Sequence, residues 1–179
     1  MHQSITLGQL LASRDARRDM QQRLMAAHPG LTLVCLTVVV PGSVKRNRQS
    51  LTVARAAVEA MRKAFGPAGG MLMERDLLTG YEAYMLVPGT PEAAKRTACR
   101  IEEEHPLGRL FDIDVLRPDG VPMSRAEVGG SLRRCLVCGN EARFCMRNHS
   151  HTQQEIWRRI DSLVDTWNAA HGGTGGTGV

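Results

Sequence analysis

The stretch HPLGRLFDIDVL, His105–Leu116, sets two aspartates into an otherwise apolar run. Side chains of a strand alternate between faces, so residues two apart share one. Read as a strand, the segment puts Leu110, Asp112, Asp114 and Leu116 on one side and Phe111, Ile113 and Val115 on the other. The second side is a core face. The first carries two adjacent carboxylates, whose repulsion a cation or a proton must offset.

The flanks of this strand supply the rest of the fold. Upstream, Thr90-Pro91-Glu92 starts a helix with proline in its first position, and the helix stops at Glu104, before Pro106. Downstream, Pro118-Asp119-Gly120 turns the chain toward a short partner strand near VPMS, residues 121–124. Residues 70–89, GMLMERDLLTGYEAYMLVPG, read as two strands joined through Leu78-Thr79-Gly80. Asn47 caps a helix through Phe65, with Leu51, Ala54, Val58, Met61 and Phe65 on one side and Gly66-Pro67 as its stop.

LTLVCLTVVV, residues 31–40, is β-branched and uncharged, as in a strand buried on both faces. The N-terminal segment, residues 4–30, reads as a helix with a break near Ser13 and an end at His28-Pro29-Gly30. A closing helix begins with a Thr152–Glu155 capping box and carries Ile156, Ile160, Leu163, Val164 and Trp167 as its apolar stripe. The expected fold is therefore α+β: a single domain over residues 1–171, with a mixed or antiparallel sheet flanked by helices and a cysteine-rich loop. GGTGGTGV, residues 172–179, reads as a flexible tail.

Lysine and arginine outnumber aspartate and glutamate by 23 to 18, a net charge of +5 that favours an anionic partner. The basic residues are scattered and aromatics are few, which argues against a base-stacking nucleic-acid binder. No run is long enough to span a bilayer and the N-terminus lacks a signal-peptide pattern, so a soluble, cytoplasmic protein with reduced cysteines is expected.

Three motifs carry chemistry. Asp112 and Asp114 offer hard oxygen ligands for Mg²⁺ or Mn²⁺, against the plainer reading of two solvated aspartates. Gly108-Arg109 just before them supplies a close backbone approach and a bidentate phosphate donor, with His105, Glu102 and Lys95 nearby, a mixture suited to phosphoryl or nucleotidyl transfer. In CLVCGNEARFCMRNHSH, Cys135, Cys138, Cys145 and either His149 or His151 have zinc-ligand spacing, against a reading as free structural cysteines. Arg133, Arg134, Arg143 and Arg147 surround that cluster as a solvated face or a polyphosphate clamp. In PGSVK, Gly42 could turn backbone N–H groups to a ligand beside Lys45, or simply end the strand.

Taken together, these residues resemble the apo-citrate lyase phosphoribosyl-dephospho-CoA transferase family, also called citrate lyase holo-acyl-carrier-protein synthase. The resemblance runs through LLASRDARRDMQQRL, LTVVVPGSVK, Lys95 and Glu102, HPLGRLFDIDVL, and Asp119, Gly120, Ser124 and Arg125. It continues in Arg134, Cys135, Cys138, Ala142, Cys145, Arg147 and His151, and it selects His151 over His149. It implies a nucleotidyltransferase-like enzyme of citrate lyase maturation. That enzyme moves phosphoribosyl-dephospho-CoA from triphosphoribosyl-dephospho-CoA to a serine of the acyl carrier (gamma) subunit and releases pyrophosphate.

For that reaction the residues themselves suggest the roles: Asp112 and Asp114 on Mg²⁺, and Lys45, Arg109, Arg134 and Arg147 on phosphates. His105 or a carboxylate would be the base, and the cysteine spacing makes Cys135, Cys138, Cys145 and His151 the expected structural Zn²⁺ site. A basic enzyme suits both a polyanionic precursor and an acidic carrier. Ser43, where relatives often have proline, and the glycine-rich tail depart from the pattern. The alternative is a zinc-stabilised RNA-binding module, which leaves the aspartate pair unexplained.

Overall fold

The computed structural model describes residues 3–66, 70 and 72–171, so the tail at 172–179 and the Pro67 stop lie outside the described residues. The elements are α1 (Leu7–Ala27), β1 (Thr32–Val38), α2 (Arg48–Phe65), β2 (Leu72–Leu77), β3 (Gly80–Val87), α3 (Pro91–Glu104), β4 (Phe111–Val115), α4 (Ala142–Arg147) and α5 (Gln153–His171). The four strands form one antiparallel sheet in the order β2-β3-β1-β4. The α+β fold with helices around an antiparallel sheet is thus as expected.

β1 lies inside the sheet between β3 and β4, and Leu33 to Leu36 are all buried. Its alternation divides two cores. Val34 and Leu36 join Met85, Phe111, Ile113 and Val115 beneath α2, α3 and α5, where Val53, Ala57, Met61, Ala98, Ile160 and Val164 fill the layer. Leu33 and Cys35 join Tyr84, Leu86 and Leu116 on the opposite face, covered by Leu24, Met20 and Met25 of α1. Local signals set the helix starts. Asn47 exchanges bonds with Ser50, Thr90 accepts from Ala93 with Pro91 at the first position, and Thr152 and Glu155 close the predicted box.

Two local expectations are corrected. α1 is continuous through Ser13, whose hydroxyl donates to Thr79 at 2.9 Å. The helix starts at a Thr6–Gln9 capping box, and nothing in the Ser13 region forces a break. VPMS makes a single bridge, Leu116 to Pro122, rather than a strand, because Pro122 lacks the N–H that a ladder requires.

Edge strand β4 is held from outside by α3. Glu102 accepts the Ile113 N–H at 2.7 Å, and Lys95 donates to the Ile113 carbonyl at 3.2 Å. Both side chains are buried. Arg125 completes the clamp by pairing with Glu102 and Glu103. Lys95 and Glu102 therefore satisfy the free edge of the aspartate strand instead of facing a substrate. Gly108 has a related structural reason. A Cβ there would lie 2.5 Å from the Glu102 carbonyl oxygen, so the close approach is to the end of α3 and not to a phosphate.

Candidate functional site

Asp112 and Asp114 project from β4 on the α1 side of the sheet, opposite Phe111, Ile113 and Val115. Their cross-strand partners on β1 are Thr37 and Cys35. The two carboxylates differ in their surroundings. Asp112 accepts from Arg133 Nη1 at 2.8 Å and from the Thr37 hydroxyl at 3.3 Å. Arg133 also reaches the Arg109 carbonyl at 3.2 Å and the Phe111 carbonyl. The cation beside Asp112 is thus an arginine of the cysteine-rich loop.

Asp114 makes no hydrogen bond or ion pair with a side chain among the described residues. Burial pushes it above the ordinary carboxylate range and the Asp112 charge adds to this, with Lys95 and Arg17 opposing. It lines a cavity of about 930 Å³ between α1 and the sheet. Arg14, Arg17, Arg18 and Gln21 of α1 form the far wall, and Gly89, Pro118 and Gly120 form part of the rim. Arg14, Arg17 and Arg18 fall three and four residues apart, hence on one helix face.

Arg17 is held in place by buried Glu82 at 3.0 Å, and Glu82 also accepts from Tyr84 at 2.6 Å. Arg14 and Arg18 form no ion pair among the described residues. Cys35, beside Asp114, is buried, and burial pushes its thiol up to about 12.

The expected phosphate ligands are distributed differently. Arg109 is half-buried, and its pKa is lowered by burial and by Arg133 and Arg125 beside it, so an anion there would relieve real repulsion. Lys45 donates to the Val40 carbonyl at 2.6 Å, folded back across its own turn with Arg14 as a neighbouring charge. Gly42, at φ +77°, has its flank filled by Gln153, whose Nε2 lies 2.1 Å from where a Cβ would sit. The Gln153 side chain of α5 therefore lies against the PGSVK turn. Arg134 donates to Gly139 inside the cysteine-rich loop, and Arg147 is exposed at the end of α4.

His105 lies on the other side of the sheet from the aspartates. Its ring packs 4.8 Å from Phe111 and 4.7 Å from Trp167, and its Nδ1 accepts the Leu107 N–H. Burial and neighbouring His171 lower its pKa. This placement makes it a packed core-edge histidine.

Cys135, Cys138, Cys145 and His151 do come together, with their ligand atoms all within 4.8 Å of one another. His149 is not among them. It is exposed, at φ +48°. The residues that sequence reasoning missed are Arg133 as the partner of Asp112 and the α1 arginines. The helical spacing of the latter was a usable signal, whereas nothing local marks Arg133 apart from Arg134.

The chain matches the model of the family described as apo-citrate lyase phosphoribosyl-dephospho-CoA transferase over residues 5–167. The protein of that name from Escherichia coli O7:K1 (strain IAI39 / ExPEC) is 32% identical over 173 residues, covering 95% of this chain and 94% of the relative. The protein of that name from Shigella boydii serotype 18 (strain CDC 3083-94 / BS512) shows the same identity and coverage. No helix among the described residues is long and apolar enough to cross a membrane.

Proposed function

The chain belongs to the apo-citrate lyase phosphoribosyl-dephospho-CoA transferase family, and on that premise we propose that it attaches phosphoribosyl-dephospho-CoA to the citrate lyase acyl carrier. In this nucleotidyltransferase-type reaction the carrier serine Oγ bonds to the innermost phosphorus of triphosphoribosyl-dephospho-CoA. The bond from that phosphorus to the pyrophosphate oxygen breaks, and the serine proton is released. The observation that supports this most is Asp114: a half-buried carboxylate without a side-chain partner among the described residues, facing three arginines across a nucleotide-sized cavity.

The α1 wall suits a polyanionic ligand. Arg14 and Arg18 are free to take phosphate oxygens, while Arg17 is fixed by Glu82 and supplies a permanent charge. Arg109 offers a second cationic point at the end of β4. Two carboxylates on one strand face fit Mg²⁺, which takes one or two carboxylates and completes its shell with phosphate oxygens and water. When bound, Mg²⁺ would neutralise charge on the phosphates and the departing pyrophosphate. Asp114 has the free oxygens for this. Asp112 is kept in line by Arg133, which also offsets the repulsion between the pair.

The carrier would dock where positive charge and apolar surface are exposed together. Arg134, Arg143 and Arg147 stand beside Phe144 and Met146, which are 57% and 74% exposed. An acidic carrier is matched by such a surface. We propose that the enzyme works in the cytoplasm.

Intact-mass spectrometry of apo carrier tests the reaction. Incubation with this protein, Mg²⁺ and triphosphoribosyl-dephospho-CoA should add one phosphoribosyl-dephospho-CoA group, and EDTA should prevent the addition. No mass gain with a carrier that a relative modifies would overturn the proposal. A gain that survives EDTA would overturn the metal role of Asp112 and Asp114 alone.

A further inference from the structure

The segment Gly129–Thr152 has one buried side chain, Cys145, and its regular structure is a single bridge, Arg134 to Glu141, plus the short helix α4. Apolar burial cannot hold such a segment in one conformation, and small core-poor segments need a covalent or metal staple. The staple is present in the side chains. Around one tetrahedral zinc, thiolate sulfurs lie about 3.8 Å apart and a sulfur and an imidazole nitrogen about 3.6 Å apart, from Zn–S and Zn–N lengths of about 2.3 and 2.0–2.1 Å. Here the Cys138 and Cys145 sulfurs are 3.5 Å apart, and His151 Nε2 is 3.3 Å from Cys138 Sγ. The Val137 N–H points at Cys135 Sγ at 3.4 Å, the kind of backbone donor that steadies a thiolate.

We infer that Cys135, Cys138, Cys145 and His151 bind one Zn²⁺, and that this site positions Arg133 on Asp112. Zinc displaces the three thiol protons to solvent and takes His151 as neutral imidazole through Nε2. All four positions are filled by protein, so the ion is structural. Arg133 lies two residues before Cys135, and its carbonyl accepts the Ala142 N–H at 2.8 Å, within the stapled loop. Its guanidinium reaches out of that loop to Asp112 and to the Arg109 and Phe111 carbonyls. The link to Asp112 rests on the proposed transferase reading, whereas the zinc site stands without it.

Protein purified under reducing conditions is expected to carry one zinc per chain by elemental analysis. Replacement with Co²⁺ should give the intense visible bands of a tetrahedral site with thiolate charge transfer, and Cys138→Ser should lose stoichiometric metal. Because a ligand variant can unfold the loop, the wild-type protein stripped with a zinc-selective chelator is the second measurement. Hydrogen exchange should then accelerate across residues 129–152 and at Phe111 and Asp112, with β1 and β3 unchanged.

Stripping should slow transfer about 10- to 100-fold, and stripping Arg133→Met should slow it no further than the substitution alone. Substoichiometric metal with titratable thiols, a Cys138–Cys145 disulfide in the purified protein, or unchanged exchange at 129–152 would overturn the site. Loss of zinc with unchanged exchange at Phe111 and Asp112 would overturn the link to Arg133. Metal content and exchange do not depend on transfer, so failure here is distinguishable from failure of the proposed reaction.

Discussion

Arg133 donates to Asp112 at 2.8 Å across 21 residues of chain. This contact ties the cysteine-rich loop to the aspartate strand and leaves Asp114, unpaired among the described residues, as the carboxylate that faces the cavity. Arg133→Met should reduce transfer about 10- to 100-fold, the usual cost of losing a partner that orients a ligand. The pair is partly exposed, with side-chain exposures of 27% and 46%, so the stability loss should be about 1 kcal/mol or less. Steady-state kinetics together with urea unfolding of the same variant separates the two effects.

Glu102 is the opposite case, a buried carboxylate with no proposed part in chemistry. It holds the Ile113 N–H and pairs with Arg125. Glu102→Ala leaves the buried Ile113 N–H without a partner and Arg125 with Glu103 alone, and should cost about 1–3 kcal/mol. Equilibrium unfolding measures this, and the protein that remains folded should transfer at a near wild-type rate.

His105 should be dispensable for the reaction. His105→Phe keeps the packing on Phe111 and Trp167 and gives up the bond from Leu107, a loss of about 1 kcal/mol. Transfer close to the wild-type rate is expected in the carrier mass assay. A loss of several orders of magnitude in a folded variant would restore His105 as a base.

Much of this fold was legible because its signals are local. Asn47, Thr90 with Pro91, and Thr152 with Glu155 each start a helix where the sequence places one, and the uncharged run at residues 31–40 forms the buried strand β1. The site was legible in part. Alternation put Asp112 and Asp114 on one face, and the cysteine spacing marked the four side chains that cluster. Their electrostatic partners were not legible, because they come from distant segments. Nothing near Arg133 distinguishes it from Arg134, and Lys95 and Glu102 look catalytic in sequence until the free edge of β4 gives them a structural task. His105 and Asp112 are close in the chain, but an intervening 3₁₀ turn at Gly108–Leu110 sends them to opposite sides of the sheet.

Asp114 should also leave a pH signature in stability. Its folded-state pKa is raised above the ordinary 3.8, so the folded protein favours the protonated form. Below that ordinary value the group costs nothing. As pH rises from there through the folded-state value, the desolvation penalty appears and stability is lost. Asp114→Asn should therefore melt higher than wild type at neutral pH, with the difference vanishing in acid. Thermal melts across that range, without added divalent metal, read the gap directly.

The same variant tests whether Asp114 takes part in the transfer. Asp114→Asn, shown by its melt to be folded, is incubated with apo carrier, Mg²⁺ and triphosphoribosyl-dephospho-CoA, and the carrier is weighed by intact-mass spectrometry. No phosphoribosyl-dephospho-CoA adduct should form over the time in which wild-type protein modifies all the carrier. Full modification at the wild-type rate would contradict this and remove Asp114 from the reaction.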